Sequence, residues 1–201
     1  MAHKAGQKEE SRARLLASAG RGFRSRGYGG LGVDGLAKEA GVTSGAFYAH
    51  YKSKAAAFRE AVVAGMEDLR TSIERMRETL GGGWRQGFID FYLSERRTCD
   101  LADSCALQSL TGEVARADAE AREAYEVELR KVIDATAAGL DSGSTAERQA
   151  EATALLALLV GGVSLARAVK DPALSEEIAV SVRQAAARLG QAPPPPPGNA
   201  K

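Results

Sequence analysis

The stretch that decides the fold runs from Val33 to Lys54 and reads VDGLAKEAGVTSGAFYAHYKSK. Its apolar residues fall at helical spacing in two short groups, which predicts two helices separated by a turn. Gly41 stands where the first helix must end, because glycine takes a left-handed conformation without steric cost. The apolar positions are Leu36, Ala37 and Ala40 in the first helix, and Phe47 and Tyr51 in the second.

The second helix of this pair begins with residues that carry hydroxyl groups. Thr43 or Ser44 offers a side-chain oxygen that caps the free N–H groups at the helix start. Two helices joined by a tight turn form a helix-turn-helix, whose second helix enters the major groove of DNA. The alternative is an ordinary helical hairpin with no role in nucleic-acid binding.

The distribution of charge favours the DNA-binding interpretation. The whole chain of 201 residues has a net charge of only +1. Residues 1–54, however, contain ten Lys and Arg against four Asp and Glu, a net charge of +6, while the remainder carries 17 basic and 22 acidic residues, a net charge of −5. A basic amino-terminal region on an acidic remainder is what phosphate binding by that region alone requires.

The order of residues in AKEAGVTSGAFYAHYKSK resembles the DNA-binding motif of the TetR/AcrR family of transcriptional regulators. The shared pattern is a Gly-Val turn, a start of small residues, an aromatic, a Tyr, and a closing Tyr-x-Ser-Lys. The resemblance covers residues 8–58 specifically and the rest by helical layout. The sequence departs from the pattern at Gly32, where a capping Ser or Thr is frequent, and at Ser44, where a Lys often contacts DNA.

This resemblance implies an all-α protein with an N-terminal three-helix DNA-binding domain and a C-terminal helical domain for ligand binding and dimerisation. We place the first domain at residues 1–53 and the second at residues 54–190. The five consecutive prolines within residues 191–201 predict an extended, disordered tail.

The resemblance also implies which residues contact DNA. The start of the recognition helix faces base edges or adjacent phosphates, and three further side chains contact phosphate. The first group is Thr43, Ser44, Gly45 and Ala46, and the second is Tyr48, His50 and Lys54.

Apolar periodicity predicts the remaining helices, with residues 1–8 frayed. The long helix that starts at Ser53 is expected to join the two domains rigidly. The helix that starts at Thr145 is apolar nearly all round, so both its faces should be covered, one of them by a second subunit. There Gly161 and Gly162 would allow close approach across the dimer interface, or would only kink the helix. The predicted helices are 9–25, 53–80, 84–97, 105–111, 117–140, 145–169 and 174–189.

Aromatic residues in the predicted C-terminal domain indicate either a core or a cavity. Trp84, Phe88 and Tyr92 share one face of helix 84–97, and Tyr125 points inward from helix 117–140. Plain core packing and a cavity for a small-molecule effector are equally supported by this pattern.

Cys105 is predicted in the first turn of a helix capped by Asp103 or Ser104, where the helix dipole favours a thiolate, although Asp100 and Asp103 oppose it. The segment SCALQSLTGEVARADAEAREAY resembles a TetR subgroup that includes repressors of N-ethylmaleimide reductase, which sense electrophiles and oxidants through a cysteine. This resemblance implies a thiol switch at Cys105. The alternative is a small buried core residue. Arg167 is either a partner for the thiolate or part of an ion pair at a subunit interface.

The catalytic inventory argues against an enzyme. His3 lies in the predicted frayed terminus and His50 beside the DNA surface, which leaves no histidine in the C-terminal domain to act as a base. P-loop, GxGxxG and HExxH motifs are absent, and two cysteines at positions 99 and 105 are too few for a zinc site. We therefore expect no metal and no cofactor.

No apolar run is expected to reach membrane-spanning length, and the amino terminus does not resemble a signal peptide. The sequence thus predicts a homodimeric, cytoplasmic regulator, most simply a repressor that a small molecule, electrophile or oxidant releases from an inverted-repeat operator. Two other functions stay open. One is a thiol-reactive enzyme or carrier that uses Cys105, and the other is a helical interaction module that acts through the proline-rich tail.

Overall fold

In the computed structural model of the chain, residues 2–141 and 143–190 are described, with side chains from residue 6 onward. All longer elements in this part are α-helices, which confirms the all-α prediction. The proline-rich tail and the side chain of His3 lie outside the described part. The helices are α1 (Ala2–Arg26), α2 (Val33–Glu39), α3 (Ser44–His50), α4 (Lys54–Leu80), α5 (Trp84–Leu93), α6 (Glu95–Thr98), α7 (Ala106–Val114), α8 (Ala119–Ala137), α9 (Thr145–Ala168) and α10 (Pro172–Arg188).

The first three helices form the amino-terminal domain. Leu15, Ala19 and Phe23 are buried along one stripe of α1, as their spacing of four predicts. The expectation of a frayed start was wrong for the described residues, since α1 already begins at Ala2. This domain packs through α1 onto α4.

Helix α4 links the two domains without interruption. Ser53 caps its start by accepting a hydrogen bond of 3.1 Å from the backbone N–H of Ala56. Buried residues such as Phe58, Met66 and Ile73 line the face of α4 that packs on α1, α5, α7 and α8. The same helix therefore belongs to the cores of both domains.

The connection after α5 differs from the prediction. A single helix over residues 84–97 was expected, but α5 ends at Leu93 and a separate short helix, α6, follows. A 3-10 turn at Leu101–Asp103 then leads into α7. Cys105 is itself the N-cap residue of α7, so the prediction that it lies in the first turn behind Asp103 or Ser104 was wrong by one position.

Helix α9 is the central helix of the carboxy-terminal domain and packs against α5, α6, α7, α8 and α10. By length and composition alone it could cross a membrane, which corrects the expectation that no apolar run is that long. Its packing offers a different explanation, because Leu155 and Leu159 are fully buried against neighbouring helices. The opposite face, which includes Leu165, is exposed in the single chain, and its covering by a second subunit stays a prediction.

The glycine pair of α9 does not act as one unit. A Cβ atom on Gly162 would lie 2.7 Å from both methyl carbons of Val182, so this glycine serves contact with α10 of the same subunit. A Cβ atom on Gly161 would meet nothing within 4 Å. The predicted close approach across a dimer interface is therefore wrong for Gly162, whose neighbour is intramolecular.

A candidate nucleic-acid interface and an adjoining ligand cavity

The turn between α2 and α3 has the geometry that the sequence predicts. Gly41 has a φ of +66°, in the left-handed region that favours glycine. Thr43, and not Ser44, caps α3, since its Oγ1 accepts a hydrogen bond of 3.1 Å from the N–H of Ala46. Phe47 anchors α3 in the core with its side chain only 1% exposed.

The exposed start of α3 contains a small polar network. Ser44 Oγ donates a hydrogen bond of 2.5 Å to Asp34 Oδ1 on α2. Gly45 is exposed beside this pair, and a Cβ atom placed there would meet only Thr43 Oγ1 at 3.8 Å. The Ser44 hydroxyl is thus occupied within the protein, by a carboxylate that the sequence analysis did not single out.

Tyr48 is the large side chain that α3 presents to solvent. It is 60% exposed, and its ring packs edge-on against Phe47 with the ring centroids 5.4 Å apart. This contact fixes the ring while its hydroxyl group faces outward. An exposed, oriented phenol at this position can donate a hydrogen bond to a phosphate oxygen.

Two of the predicted phosphate-binding residues are already engaged within the protein. His50 Nε2 and Ser11 Oγ on α1 form a hydrogen bond of 2.6 Å. Lys54 Nζ donates to the carbonyl oxygens of Tyr28 at 2.8 Å and Leu31 at 3.2 Å, and lies 4.2 Å from the centroid of the Tyr28 ring. Lys54 therefore has a role in holding the connection between α1 and α2, and its phosphate contact remains a prediction.

Helix α1 holds the rest of the amino-terminal domain in place. Ser18 Oγ donates a hydrogen bond of 3.2 Å to the carbonyl oxygen of Leu36 on α2. Arg26 forms an ion pair with Glu39, which also belongs to α2. On the side facing the second domain, Arg21 pairs with Asp103. The helix-turn-helix is thus tied through α1 to the segment that precedes α7.

A cavity of about 230 Å³ lies where this segment meets α1, α4 and α5. We call it the Tyr92 cavity. Its walls are mixed, with hydrocarbon and aromatic groups on one side and charged or polar groups on the other. The apolar wall includes Leu69, Met76, Phe88 and Phe91, and the polar wall includes Arg24, Asp68, Tyr92, Arg96, Asp103 and Cys105.

The polar wall contains a buried hydroxyl group without a partner. Tyr92 is 1% exposed, and its Oη has no hydrogen-bond partner among the described residues. The Cys105 thiol lies close enough to this hydroxyl to interact with it electrostatically. Burial first, and then the nearby Cys105 thiol, raise the pKa of Tyr92 well above its usual range. The Tyr92 hydroxyl therefore remains a neutral donor at physiological pH.

The positively charged side chain of Arg24, on α1, lines the same cavity. Its Nε donates a hydrogen bond of 2.8 Å to the carbonyl oxygen of Ala102. Burial lowers the pKa of Arg24, while the carboxylate of Asp103 acts in the opposite direction. An arginine remains charged even so, because its usual pKa lies far above neutrality.

The structure separates the other residues that were expected around an effector. Trp84 lies outside the Tyr92 cavity, and its Nε1 donates a hydrogen bond of 2.8 Å to the carbonyl oxygen of Gly139. Tyr125 Oη shares a hydrogen bond of 2.8 Å with Thr111 and lines a second, almost wholly apolar cavity of about 340 Å³. Of the predicted set, only Phe88, Tyr92 and Cys105 line the Tyr92 cavity.

The prediction that Arg167 partners Cys105 was wrong. Arg167 Nη2 lies 3.1 Å from the sulfur of Cys99 and also donates to the carbonyl oxygens of Arg96 and Cys99. The guanidinium next to Cys105 is that of Arg24, which contributes an electrostatic interaction with the thiol. Sequence spacing could not reveal this pairing, because 81 positions separate the two residues.

Sequence analysis also missed the hydrogen bond of Asp34 with Ser44, the pairing of Asp103 with Arg21 and the role of Arg24. The arginines of α1 recur on its polar face, and that pattern is typical of a solvated surface. Only the approach of the segment at residues 101–105 gives Arg21 and Arg24 their partners. Within residues 2–141 and 143–190, no group of three or more His, Cys, Asp or Glu is arranged to hold a metal ion.

Comparison with known proteins gives two findings. Residues 15–61 match the family described as bacterial regulatory proteins, tetR family. Over about nine-tenths of the chain the fold is that of solved regulators at low sequence identity. Among curated proteins the comparison finds no match.

Three solved structures illustrate the likeness. The reduced form of E. coli NemR superimposes with a TM-score of 0.70 at 21% identity, covering 87% of this chain and 95% of that one. A TetR-family transcriptional regulator from Cytophaga hutchinsonii gives a TM-score of 0.74 at 17% identity, covering 93% and 98%. A TetR-family regulator from Agrobacterium tumefaciens gives a TM-score of 0.72 at 15% identity, covering 89% of this chain and 98% of that one.

Proposed function

We propose that this chain is a homodimeric repressor of the TetR/AcrR family, because its residues 15–61 match that family and its fold follows solved TetR-family regulators over 87–93% of its length. It binds an inverted-repeat operator in the cytoplasm and leaves that operator when an effector reaches the carboxy-terminal domain. The observation that carries this proposal is the exposed face of α3, where a capped helix start and an oriented Tyr48 adjoin a basic domain.

Charge supports the DNA-binding part of the proposal. Helix α3 contains no acidic residue, and the domain that holds it has a net charge of +6 over residues 1–54. Such a domain is attracted to DNA phosphates, and each Lys or Arg contact releases counterions. Asp34 is the exposed acid nearest the start of α3, and its hydrogen bond with Ser44 restrains it.

The open face of α9 and α10 supports the dimer. Leu165 is 62% exposed, and Leu174 and Val180 are also exposed on the neighbouring helix. These residues expose apolar surface that a second copy of the chain would cover. Two recognition helices related by a two-fold axis fit an inverted repeat whose half-sites lie about 34–36 Å apart, one turn of DNA.

Cys105 is our candidate for the switch, and the cavity supports it. Cys105 is 9% exposed, which limits its contact with bulk solvent, and it lines a space of about 230 Å³ that a small electrophile can enter. Addition of a group to the sulfur would fill the space beside Tyr92 and press on the segment that holds α1. A reversible ligand in the same cavity is the second candidate.

The DNA-binding part is tested by selecting duplexes from a randomised pool and measuring affinity for the recovered sequence over a range of salt. We expect an inverted repeat and a steep loss of affinity with salt. Tyr48→Ala should weaken all duplexes alike, while Val127→Ala, which alters another exposed position, on α8, should change nothing. Unchanged affinity for Tyr48→Ala at moderate salt would show that α3 is oriented differently on DNA.

The switch is tested by treating the DNA-bound protein with N-ethylmaleimide. We expect release from the parent and from Cys99→Ser, but retention by Cys105→Ser. Cys99 is the matched control, because it is the other cysteine of the chain and its sulfur contacts Arg167. Equal release from the parent and Cys105→Ser would exclude Cys105 as the switch. A thiol-reactive enzyme, the alternative function, would modify small thiol-reactive substrates without binding any duplex.

A further inference from the structure

The Tyr92 cavity presents donors that the described protein leaves without acceptors. Tyr92 Oη is buried and unpartnered, and Arg24 uses only its Nε for the hydrogen bond to Ala102. A buried donor without an acceptor is unfavourable, so native proteins rarely keep one unless something else binds there. We infer that this cavity binds a small carboxylate with a flat apolar body, and that Arg24 and Tyr92 hold the carboxylate.

Gly20 makes room for the Arg24 guanidinium. A Cβ atom on Gly20 would lie 3.3 Å from Arg24 Nη1, so a larger side chain at this position of α1 would crowd the guanidinium. Gly65 on α4 serves a different contact, because a Cβ atom there would collide with the Cβ atom of Ala106. The planar group is left able to meet a carboxylate with two parallel N–H donors, the geometry that arginine provides and lysine does not.

Size and lining define the rest of the ligand. About 230 Å³ corresponds to roughly seven or eight waters at about 30 Å³ each, which suits a molecule of about ten non-hydrogen atoms. The apolar wall offers the rings of Phe88 and Phe91 and the side chains of Leu69 and Met76. A flat aromatic body would pack against this wall while its carboxylate faces Arg24 and Tyr92.

The charges around the cavity favour an anion over a cation. Asp103 is neutralised by Arg21, and Arg96 Nη1 donates to the Asp103 carbonyl oxygen while its guanidinium lies over the Phe91 ring. Asp68 and Asp103 are the carboxylates near Arg24 that oppose an anionic ligand. The guanidinium groups of Arg21, Arg24 and Arg96 outnumber them, whereas a cationic ligand would compete with Arg24.

Arg24 also gives such a ligand a direct route to the DNA-binding domain. The arginine belongs to α1, which holds α2 through Ser18 and the ion pair of Arg26 with Glu39. A carboxylate that draws Arg24 away from Ala102 would loosen α1 from the segment before α7. This coupling rests on the proposed DNA-binding function, whereas binding of the carboxylate does not.

The test uses benzoate as the probe and benzamide as its neutral match, with binding to the full chain measured by calorimetry. We expect benzoate to bind at least ten-fold more tightly than benzamide, because only benzoate offers a charged acceptor. Equal affinities, or no binding of benzoate, would overturn the inference.

Variants with matched controls locate the site. Tyr92→Phe removes a hydroxyl that has no protein partner, so it should leave the fold intact and weaken benzoate binding about ten-fold or more. Tyr51→Phe is its control, since the Tyr51 hydroxyl is likewise buried and unpartnered but lies in the amino-terminal domain. Arg24→Gln should abolish binding, while Arg14→Gln, an equal charge change on the same helix, should not. Benzoate affinities that are the same in all four variants would overturn the site.

Operator binding separates this inference from the proposed function. Benzoate should lower the DNA affinity of the parent and of Arg14→Gln, because both keep the carboxylate site. Tyr92→Phe should need about ten-fold more benzoate for the same loss of DNA affinity. Bound benzoate with unchanged DNA affinity would overturn the coupling. Failure of the parent to bind any duplex would count against the proposed function, and the calorimetric comparison would still decide the carboxylate site.

Discussion

Lys54 shows how a single residue takes its role from its surroundings. Its place at the end of the helix-turn-helix predicts a phosphate contact, yet its ammonium donates to two backbone carbonyls and lies over the Tyr28 ring. These carbonyls belong to the glycine-rich connection, whose apolar residues Tyr28 and Leu31 pack on the core. The charge thus stabilises the connection between α1 and α2.

Lys54→Met should therefore lower the free energy of unfolding by about 1–3 kcal/mol, because two carbonyl oxygens lose a charged donor. The measurement is urea denaturation. Lys52→Met is the control at an exposed neighbouring position, and we expect its effect to stay within about 0.5 kcal/mol. A Lys54 variant as stable as the parent, but weaker on DNA, would restore the phosphate role.

Thr43 combines a structural and a recognition role at one position. Its hydroxyl caps α3, so Thr43→Ala should cost about 0.5–2 kcal/mol of stability. Thr43→Ser keeps the capping oxygen and removes only the methyl group. Thermal denaturation should therefore separate the two variants, while selection of half-site sequences should report altered preference for both if the methyl group contacts a base. Unaltered preference in Thr43→Ser would leave the cap as the whole role.

At the scale of elements, the glycine pair of α9 tests which surfaces are internal. Gly162→Ala should destabilise the chain by about 1–3 kcal/mol, because the new methyl group meets Val182 and overpacks α9 on α10. Gly161→Ala adds the same methyl group to an open position, where better helix propensity should stabilise by about 0.5–1 kcal/mol. Denaturation midpoints compare the two variants. A loss in Gly161→Ala would place that residue within a contact between subunits.

At the scale of the whole molecule, the uncovered face of α9 and α10 governs assembly. Leu165→Glu would bring a carboxylate into the proposed apolar interface, and we expect the dimer to dissociate at least ten-fold more readily. Val127→Glu introduces the same charge at a 49% exposed position on α8 and should leave assembly unchanged. Sedimentation velocity over a range of concentrations measures both. Equal dissociation of the two variants would move the interface elsewhere.

Much of this protein is determined by local sequence. The left-handed turn at Gly41, the cap at Ser53, and the buried stripes of α1 and α4 follow from conformational preference and apolar spacing, which act over a few residues. The helix-turn-helix and the net positive charge of its domain can be predicted from the sequence for the same reason. The boundaries of α5 and α7 were misplaced, because Ser94 leaves the helical conformation at φ −107° and ψ −81°, and α7 continues to the buried Val114.

Only the tertiary structure decided the partners of the charged and reactive side chains. Arg24 reaches Ala102 and the Cys105 cavity, Arg167 reaches Cys99, and Tyr125 turns to a separate cavity. Hydrogen bonds and ion pairs act over a few ångströms, and the residues that they join are 14 to 78 positions apart along the chain. No periodicity encodes such pairings, so they emerge only when the helices pack together.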